Sequence, residues 1–384
     1  MKMENITFII SLIALLILLG VGCKLAPKKE FVEDYFSLTI SKGLQGFFAV
    51  CIIFHHCSVW LQNFDCVDNL FTHYFYTPVL LVGFFFFCSG YGLMTSLHAK
   101  DNYLKGFIQK RVLTVLVPFF ICNYIYMIMT QLYGRQYTIL QLIAAFFGIL
   151  LINSQMWFAI EIMILYLIFY MLFKKIKNEN RALSIMGICI VLIITGSLFL
   201  GHSGLDYGAE FWFQGEWWYN TTIFFFVGML FAKNKTNITK WLQRYYVPIF
   251  TVCVIGFSIL LWWNHILIDE GIYWTETEES LMVLDKLKGL SVQTPMVFFF
   301  MVLMLLAMMK VRIHNKMLVF LGKISLEIIL INYLFIMTLD FIRVRYGMLL
   351  YLALVVVCTL CVAIVLYKIK QIILERDKKR THII

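Results

Sequence analysis

Long apolar runs that recur along the whole chain are the sequence feature that most restricts its fold. Each run reaches roughly 18 residues or more, enough for a helix to cross a hydrocarbon core of about 30 Å. The runs are continuous rather than alternating, which argues against a membrane-spanning β-barrel. We therefore predict an all-α, polytopic transmembrane helix bundle of about 11 spans. The candidate spans are residues 6–22, 43–60, 79–97, 112–132, 156–173, 183–200, 217–232, 247–268, 292–309, 318–339 and 348–367.

The charged residues set the expected orientation. The formal net charge of +10 does not indicate nucleic-acid binding, because Lys and Arg form short clusters between apolar runs instead of one basic face. Alternate loops carry these clusters, whereas the loops 61–76, 201–216 and 269–289 carry most of the loop acids. We predict a multi-pass cell-membrane protein with its N-terminus outside and its C-terminus in the cytoplasm. This alternation requires that the apolar stretch 139–152 be re-entrant or interfacial.

Ionisable side chains inside predicted spans are the candidates for chemistry, because a charge in the bilayer core is costly unless it serves a function. His55 and His56 lie in the second span, Glu161 in the fifth, and Glu327 and Asn332 in the tenth. At about 1.5 Å of rise per residue, His56, Glu161 and Asn332 are expected at one depth in the outer half of the membrane. The pattern predicts a buried polar site shared by three spans.

His56 is the candidate general base and Glu161 its candidate helper. A neutral imidazole has a pKa near 6.5, which suits it to accept a proton from a hydroxyl, and a nearby carboxylate would orient the ring. An alternative is that the His pair bonds only a backbone carbonyl or an interfacial phosphate. For Glu327, four residues after Lys323, the alternative is an ion pair within one helix.

Further candidates lie on both sides of this layer. Ser89, beside Gly90 and Gly92, can bond across a close helix contact, although close packing alone also explains the glycines. The basic residues at the cytoplasmic end suit a phosphorylated donor, although an ordinary positive-inside loop also explains them. Aromatic residues of the outer side suit a sugar platform or an interfacial belt. The basic candidates are Lys105, Lys110 and Arg111, and the aromatic ones Trp217, Trp218 and Tyr219.

Five segments in order resemble the acyltransferase 3 family, the polytopic O-acyltransferases that modify bacterial surface polysaccharides, peptidoglycan and small molecules. The resemblance covers residues 41–367. The first segment is the most specific, because the family's opening helix ends in a catalytic His, here His56. The segments are LQGFFAVCIIFHHCS (44–58), FFCSGY (86–91), Lys110-Arg111 followed by Pro118, WFAIE (157–161) and LGKISLEI (321–328).

The resemblance implies a ten-span acyltransferase core of residues 41–368, preceded by an extra N-terminal span and loop in 1–40 and followed by a basic cytoplasmic tail in 369–384. It also implies a basic residue eleven positions before the catalytic His that binds the acyl-coenzyme A donor. Gln45 occupies that position here, so either Lys42, one turn earlier, supplies the charge or Gln45 bonds the donor uncharged. The family often has His where Asn332 stands.

The sequence thus predicts a membrane O-acyltransferase that moves an acetyl group from acyl-coenzyme A to a hydroxyl of a surface glycan or lipid-linked acceptor. We expect the bilayer as a partner, no nucleic acid, no metal and no permanently bound cofactor; the oligomeric state stays open. A proton-coupled transporter or flippase is the rival, although no clear internal repeat supports it; a structural subunit is the third option. The donor candidates are Lys42, Gln45, Ser89, Lys105, Lys110 and Arg111, and the acceptor-side candidates are His55, Trp157, Trp217, Trp218 and Asn332.

Overall fold

Helices make up nearly all of the computed structural model, which describes residues 3–62, 78–200, 209–213, 217–269, 283–313 and 315–381. The predicted all-α bundle is confirmed. The helices are α1 Met3–Gly20, α2 Leu38–Gln62, α3 Pro78–Ala99, α4 Leu113–Leu132, α5 Ile139–Phe146, α6 Trp157–Lys175, α7 Glu179–Ser197, α8 Trp217–Thr221, α9 Ile223–Arg244, α10 Tyr246–Asp269, α11 Val283–Lys310, α12 Lys316–Lys323, α13 Ser325–Thr338, α14 Asp340–Tyr346 and α15 Met348–Thr381.

Among the described residues, eight helices are long and apolar enough to cross a membrane, or nine if α12 and α13 form one span. The apolar part of α1, Ile6–Gly20, is shorter than these eight. Helix α9 is apolar only in its first half, because lysines begin at Lys233. Helix α5 has 8 residues, too few to cross a bilayer, in agreement with an interfacial 139–152 segment. The count of eleven spans stays a prediction.

The predicted span 318–339 is broken in the structure. Helices α12 and α13 meet at a bend of 77°. In α12, Leu318 and Leu321 are buried against α2, whereas Lys316 and Lys323 at its two ends are exposed. Charges at both ends favour a position at the edge of the bilayer, from which α13 continues into the bundle.

Glycines allow two pairs of helices to touch at the backbone. A Cβ on Gly90 of α3 would overlap the carbonyl of Phe225 in α9, and one on Gly228 would overlap the carbonyl of Phe87. A Cβ on Gly322 of α12 would likewise overlap the carbonyl of Lys42 in α2. Because membrane helices gain little from the hydrophobic effect between them, such close contacts stabilise the bundle.

Substituting Gly90 tests this packing. We expect Gly90→Ala to lower the free energy of unfolding by about 2 kcal/mol, because the added methyl group forces α3 away from α9. Gly92→Ala, two residues further along α3, is the matched control, since a Cβ there meets nothing within 4 Å. Thermal unfolding in detergent measures both, and equal stability of the two variants would contradict the close contact.

The segment before α2 is held by contacts with the strand after α11 and with α9. Strand β1 (Cys23–Leu25) pairs antiparallel with β4 (Val311–Ile313), directly after α11. Lys235 of α9 donates to the carbonyl of Phe36 at 3.1 Å and to the hydroxyl of Tyr91 at 3.1 Å.

We call one end of the bundle the "basic end": it holds the start of α2 and the exposed Lys105 and Lys110. The opposite end is the "far end".

The remaining strands lie at the far end. Strand β2 (Leu150–Leu151) pairs antiparallel with β3 (Glu210–Phe211). Most residues of the acid-rich loops 61–76, 201–216 and 269–289, on which the predicted orientation partly rests, lie outside the described residues.

Candidate active site

A hydrogen bond between α2 and α13 joins two of the predicted site residues. His56 Nδ1 and Asn332 Oδ1 are 2.6 Å apart, and both side chains are buried. The two helices pack along each other, so residues distant in sequence meet in the half of the bundle near the far end. The structure therefore places Asn332 as the direct partner of His56.

Asn332 also fixes which nitrogen of His56 carries the proton. Its amide Nδ2 donates to the carbonyls of Ile328 at 3.0 Å and Ile329 at 2.8 Å, in the preceding turn of α13. Only its oxygen can then face His56, so Nδ1 of the ring is the donor. A neutral imidazole protonated at Nδ1 keeps its lone pair on Nε2. His56 is thus prepared to accept a proton at Nε2.

Substituting Asn332 tests this orientation. We expect Asn332→Leu to lower the turnover number about a hundredfold, because the ring loses the acceptor that holds the proton on Nδ1. Asn332→Asp keeps an acceptor oxygen and should retain more activity than Asn332→Leu. Initial rates of acyl transfer, compared with the level of folded protein in the membrane, measure the effect. Equal losses in the two variants would contradict a role for the acceptor oxygen.

The other acceptor-side candidates lie on three helices, α2, α6 and α8. His55 is buried, and its ring centre lies 5.4 Å from that of His56. Trp157 is buried at the start of α6 beside Phe86, with ring centres 6.3 Å apart. Trp218 is buried in α8. The side chain of Trp217 lies outside the described residues.

Glu161 has a different partner from the one expected. It is fully buried in α6 and accepts a hydrogen bond from Thr222, which immediately precedes α9. The Thr222 hydroxyl also lies against the carbonyl of Trp218, so the carboxylate is tied to the corner between α8 and α9. No sequence pattern pointed to Thr222, whose contact with Glu161 depends on this corner. The helper role of Glu161 stays a prediction.

Contacts along the bundle show that Glu161 lies deeper than Asn332. The turn Ser154–Met156, directly after Asn153, packs on α13, where the amide of Leu334 donates to the hydroxyl of Tyr126 at 3.0 Å. Asn153 is therefore near the level of Leu334, towards the far end. Eight residues lead from Asn153 to Glu161, which places Glu161 roughly 9 Å closer to the basic end than Asn332.

Basic side chains lie at the basic end of the bundle. Lys42 keeps solvent access although Ser41, Gly43 and Gln45 around it are buried, and its ammonium donates to the carbonyl of Gly322 at 3.3 Å. Its charge interacts with that of Arg111. Arg111 belongs to the π-helical turn Ile108–Val112, an irregularity that is frequent at functional sites.

The other donor-side candidates line the same part of the bundle. Arg111 donates to Tyr103 at 2.9 Å and to Ser96 at 3.4 Å. Lys105 and Lys110 are exposed beside it. The side chain of Gln45 lies near Cys88, and that of the adjacent Ser89 lies near Tyr166. Lys42 and Arg111 thus lie within range of each other's charge, with Gln45 and Ser89 further inside the bundle.

Glu327 pairs across helices rather than within its own. It is fully buried in α13 and forms an ion pair with Lys370 of α15, which is also buried. The alternative partner, Lys323, is exposed. Lys370 lies in the segment that was predicted as a basic tail, but α15 continues without a break to Thr381 and carries Lys370 inward.

Comparison with protein families decides the class of protein. The family model described as an acyltransferase domain, that of acyltransferase 3, matches residues 38–368, which is most of the chain. The chain belongs to the acyltransferase 3 family. Searches of curated proteins and of solved structures found no significant match.

Membership of this family shows a membrane-embedded acyltransferase, for which the bilayer and an acyl donor are the expected partners. In this acyltransferase the polar residues of the bundle fall into three levels. The basic cluster with Lys42 and Arg111 lies at one end, Glu161 with Thr222 lies between, and His56 with Asn332 lies towards the far end. An acyl group that enters at the basic end can reach His56 only through the bundle.

Proposed function

We propose that this acyltransferase moves an acetyl group from acetyl-coenzyme A to a hydroxyl group of a surface glycan or a lipid-linked glycan. The observation that carries the proposal is the buried His56–Asn332 pair, which leaves Nε2 of a neutral imidazole free to accept a proton. His56 is the general base in this proposal. The basic end is the cytoplasmic side of the cell membrane, where most of the Lys and Arg clusters lie.

The donor binds at the basic end. Coenzyme A carries several phosphate charges, which Arg111 and Lys42 can contact with charge-assisted hydrogen bonds. Lys42 lies three residues before Gln45 and keeps solvent access, so we assign it the charge that Gln45 lacks. Lys105 and Lys110 attract the donor towards this end of the bundle. The acyl arm then extends along α2 towards His56.

The chemical step is a direct transfer that forms one bond and breaks another. The acceptor oxygen attacks the thioester carbonyl carbon while Nε2 of His56 takes the hydroxyl proton. The carbon–oxygen bond forms, the carbon–sulfur bond breaks, and the thiolate of coenzyme A leaves. His56 then gives its proton to that thiolate, which restores the neutral imidazole. The Asn332 oxygen holds the ring in position and stabilises the imidazolium in between.

The acceptor approaches from the far end. His55 adjoins His56, Trp157 begins α6, and Trp217 and Trp218 begin α8. Aromatic rings with a polar edge suit the apolar faces and hydroxyl groups of sugars. Glu161 lies closer to the basic end than His56, and we assign it to the region through which the acyl arm extends.

A transfer assay tests the proposal: purified protein in detergent is incubated with acetyl-coenzyme A that carries a label in its acetyl group. We expect the label to appear in an added alcohol or glycan as an ester that mild alkali cleaves, with one coenzyme A thiol released per ester. Arg111→Gln should raise the Michaelis constant for the donor about tenfold, since one charge-assisted hydrogen bond is lost. Label in an alkali-stable amide, or thioester that stays intact in the presence of every acceptor, would contradict an O-acetyltransferase.

A further inference from the structure

Three amide side chains form a buried chain of hydrogen bonds near the far end. Asn220 of α8 donates to Gln293 of α11 at 2.8 Å, and Gln293 donates to Asn264 of α10 at 2.9 Å. All three side chains are buried. Helix α10 otherwise turns few residues inward, so Asn264 is an exception on a helix that mainly faces lipid.

Both ends of this chain of amides have an atom without a partner among the described residues, Oδ1 of Asn220 and Nδ2 of Asn264. The indole Nε1 of Trp218, two residues before Asn220, and the hydroxyl of Thr294, next to Gln293, also have none there. Inside a bilayer each unpaired buried polar group costs several kcal/mol. Unpaired atoms at both ends of one chain of hydrogen bonds therefore indicate a polar molecule that completes it.

The cluster lies near the depth of His56. Helices α2 and α11 are in contact at Phe48 and Phe300, whose ring centres are 6.0 Å apart. His56 is eight residues from Phe48 towards the far end, a rise of roughly 12 Å, and Gln293 is seven residues from Phe300 in the same direction, roughly 10 Å. The amide chain is therefore close to the level at which the proposed proton transfer takes place.

The chemistry of the cluster selects the class of ligand. Amide groups donate and accept hydrogen bonds, and they carry no charge, so they suit neutral groups with several hydroxyls. The indole of Trp218 adds a donor, and its ring centre lies 5.8 Å from that of Trp212. We propose that Asn220, Gln293 and Asn264 form the acceptor subsite, which recognises the hydroxyl groups of a sugar beside the one that is acylated. This inference rests on the proposed function.

A comparison of two acceptors tests the subsite. Purified protein in detergent receives labelled acetyl-coenzyme A with either methyl glucoside, which has several hydroxyls, or n-propanol, which has one. We expect wild type to prefer the glucoside, measured as kcat/KM. Gln293→Ala and Asn264→Ala should each lower the ratio of glucoside to n-propanol transfer about tenfold, because hydrogen bonds made only by the sugar are lost.

Asn123→Ala is the matched control. Asn123 is a buried amide of α4 that donates to the carbonyl of Ala145 at 2.6 Å, away from the cluster, so its loss should leave the ratio unchanged. If an Ala variant does not fold, Gln293→Met or Asn264→Leu takes its place in the experiment, because these substitutions keep the side-chain volume. A ratio that stays at the wild-type value in folded variants, or a wild type without preference, would overturn the subsite. Absence of donor cleavage with both alcohols would instead overturn the proposed function.

Discussion

Replacing His56 by Ala should reduce acyl transfer about a thousandfold or more. The variant removes the one group that the structure prepares as a base, and positioned proton transfer contributes factors of this size. The initial rate of ester formation from labelled acetyl-coenzyme A measures the loss. His98→Ala is the control, because His98 lies at the basic end in an exposed pair with Glu179 at 2.8 Å. Its rate should stay near that of wild type.

The His56 result also separates the two adjacent histidines. His55 lies beside His56 in the chain, but it is Nδ1 of His56 that donates to the Asn332 oxygen. We therefore expect His55→Ala to lose less activity than His56→Ala. Transfer that persists in a folded His56→Ala protein would show that another group takes the proton.

Breaking the buried ion pair between α13 and α15 should cost about 3–5 kcal/mol of unfolding free energy. Glu327→Leu leaves the ammonium of Lys370 without its partner inside the bundle, and Lys370→Met leaves the carboxylate of Glu327. The double variant removes both charges and should recover most of the loss. Denaturant or thermal unfolding of the four proteins in detergent measures the coupling between the two residues.

Lys323→Met is the matched control for this cycle. Lys323 lies four residues before Glu327, as an intrahelical partner would, but it is exposed. We expect its removal to change stability by less than about 0.5 kcal/mol. A larger effect for Lys323→Met than for Lys370→Met would show that the carboxylate pairs within its own helix.

The sequence predicted the helical class because lipid leaves few alternatives for long apolar runs. It also singled out His56 and Asn332, since polar residues inside spans are costly and stand out. The bend between α12 and α13 was missed because residues 318–339 read as one apolar run, although the alternation of Leu318 and Leu321 with Lys316 and Lys323 marks an amphipathic start.

The periodicity of the sequence could not predict which residues pair across helices. Lys370 looked like one residue of a basic tail, and only the packing of α15 on α13 turns it towards Glu327. Thr222 and the amides Asn220 and Gln293 looked like ordinary polar residues of a helix end. Depth estimates from helical rise placed Glu161 level with Asn332, but they ignored the turn at Asn153 that begins before α6.

In the proposed reaction an acyl group enters at the basic end and is transferred at His56 to an acceptor from the far end. Proteoliposomes with labelled acetyl-coenzyme A sealed inside and a membrane-impermeant sugar acceptor outside test it most directly. We expect label to accumulate as ester on the external acceptor with wild type and not with His56→Ala. Ester formation only when donor and acceptor share one side of the membrane would contradict it.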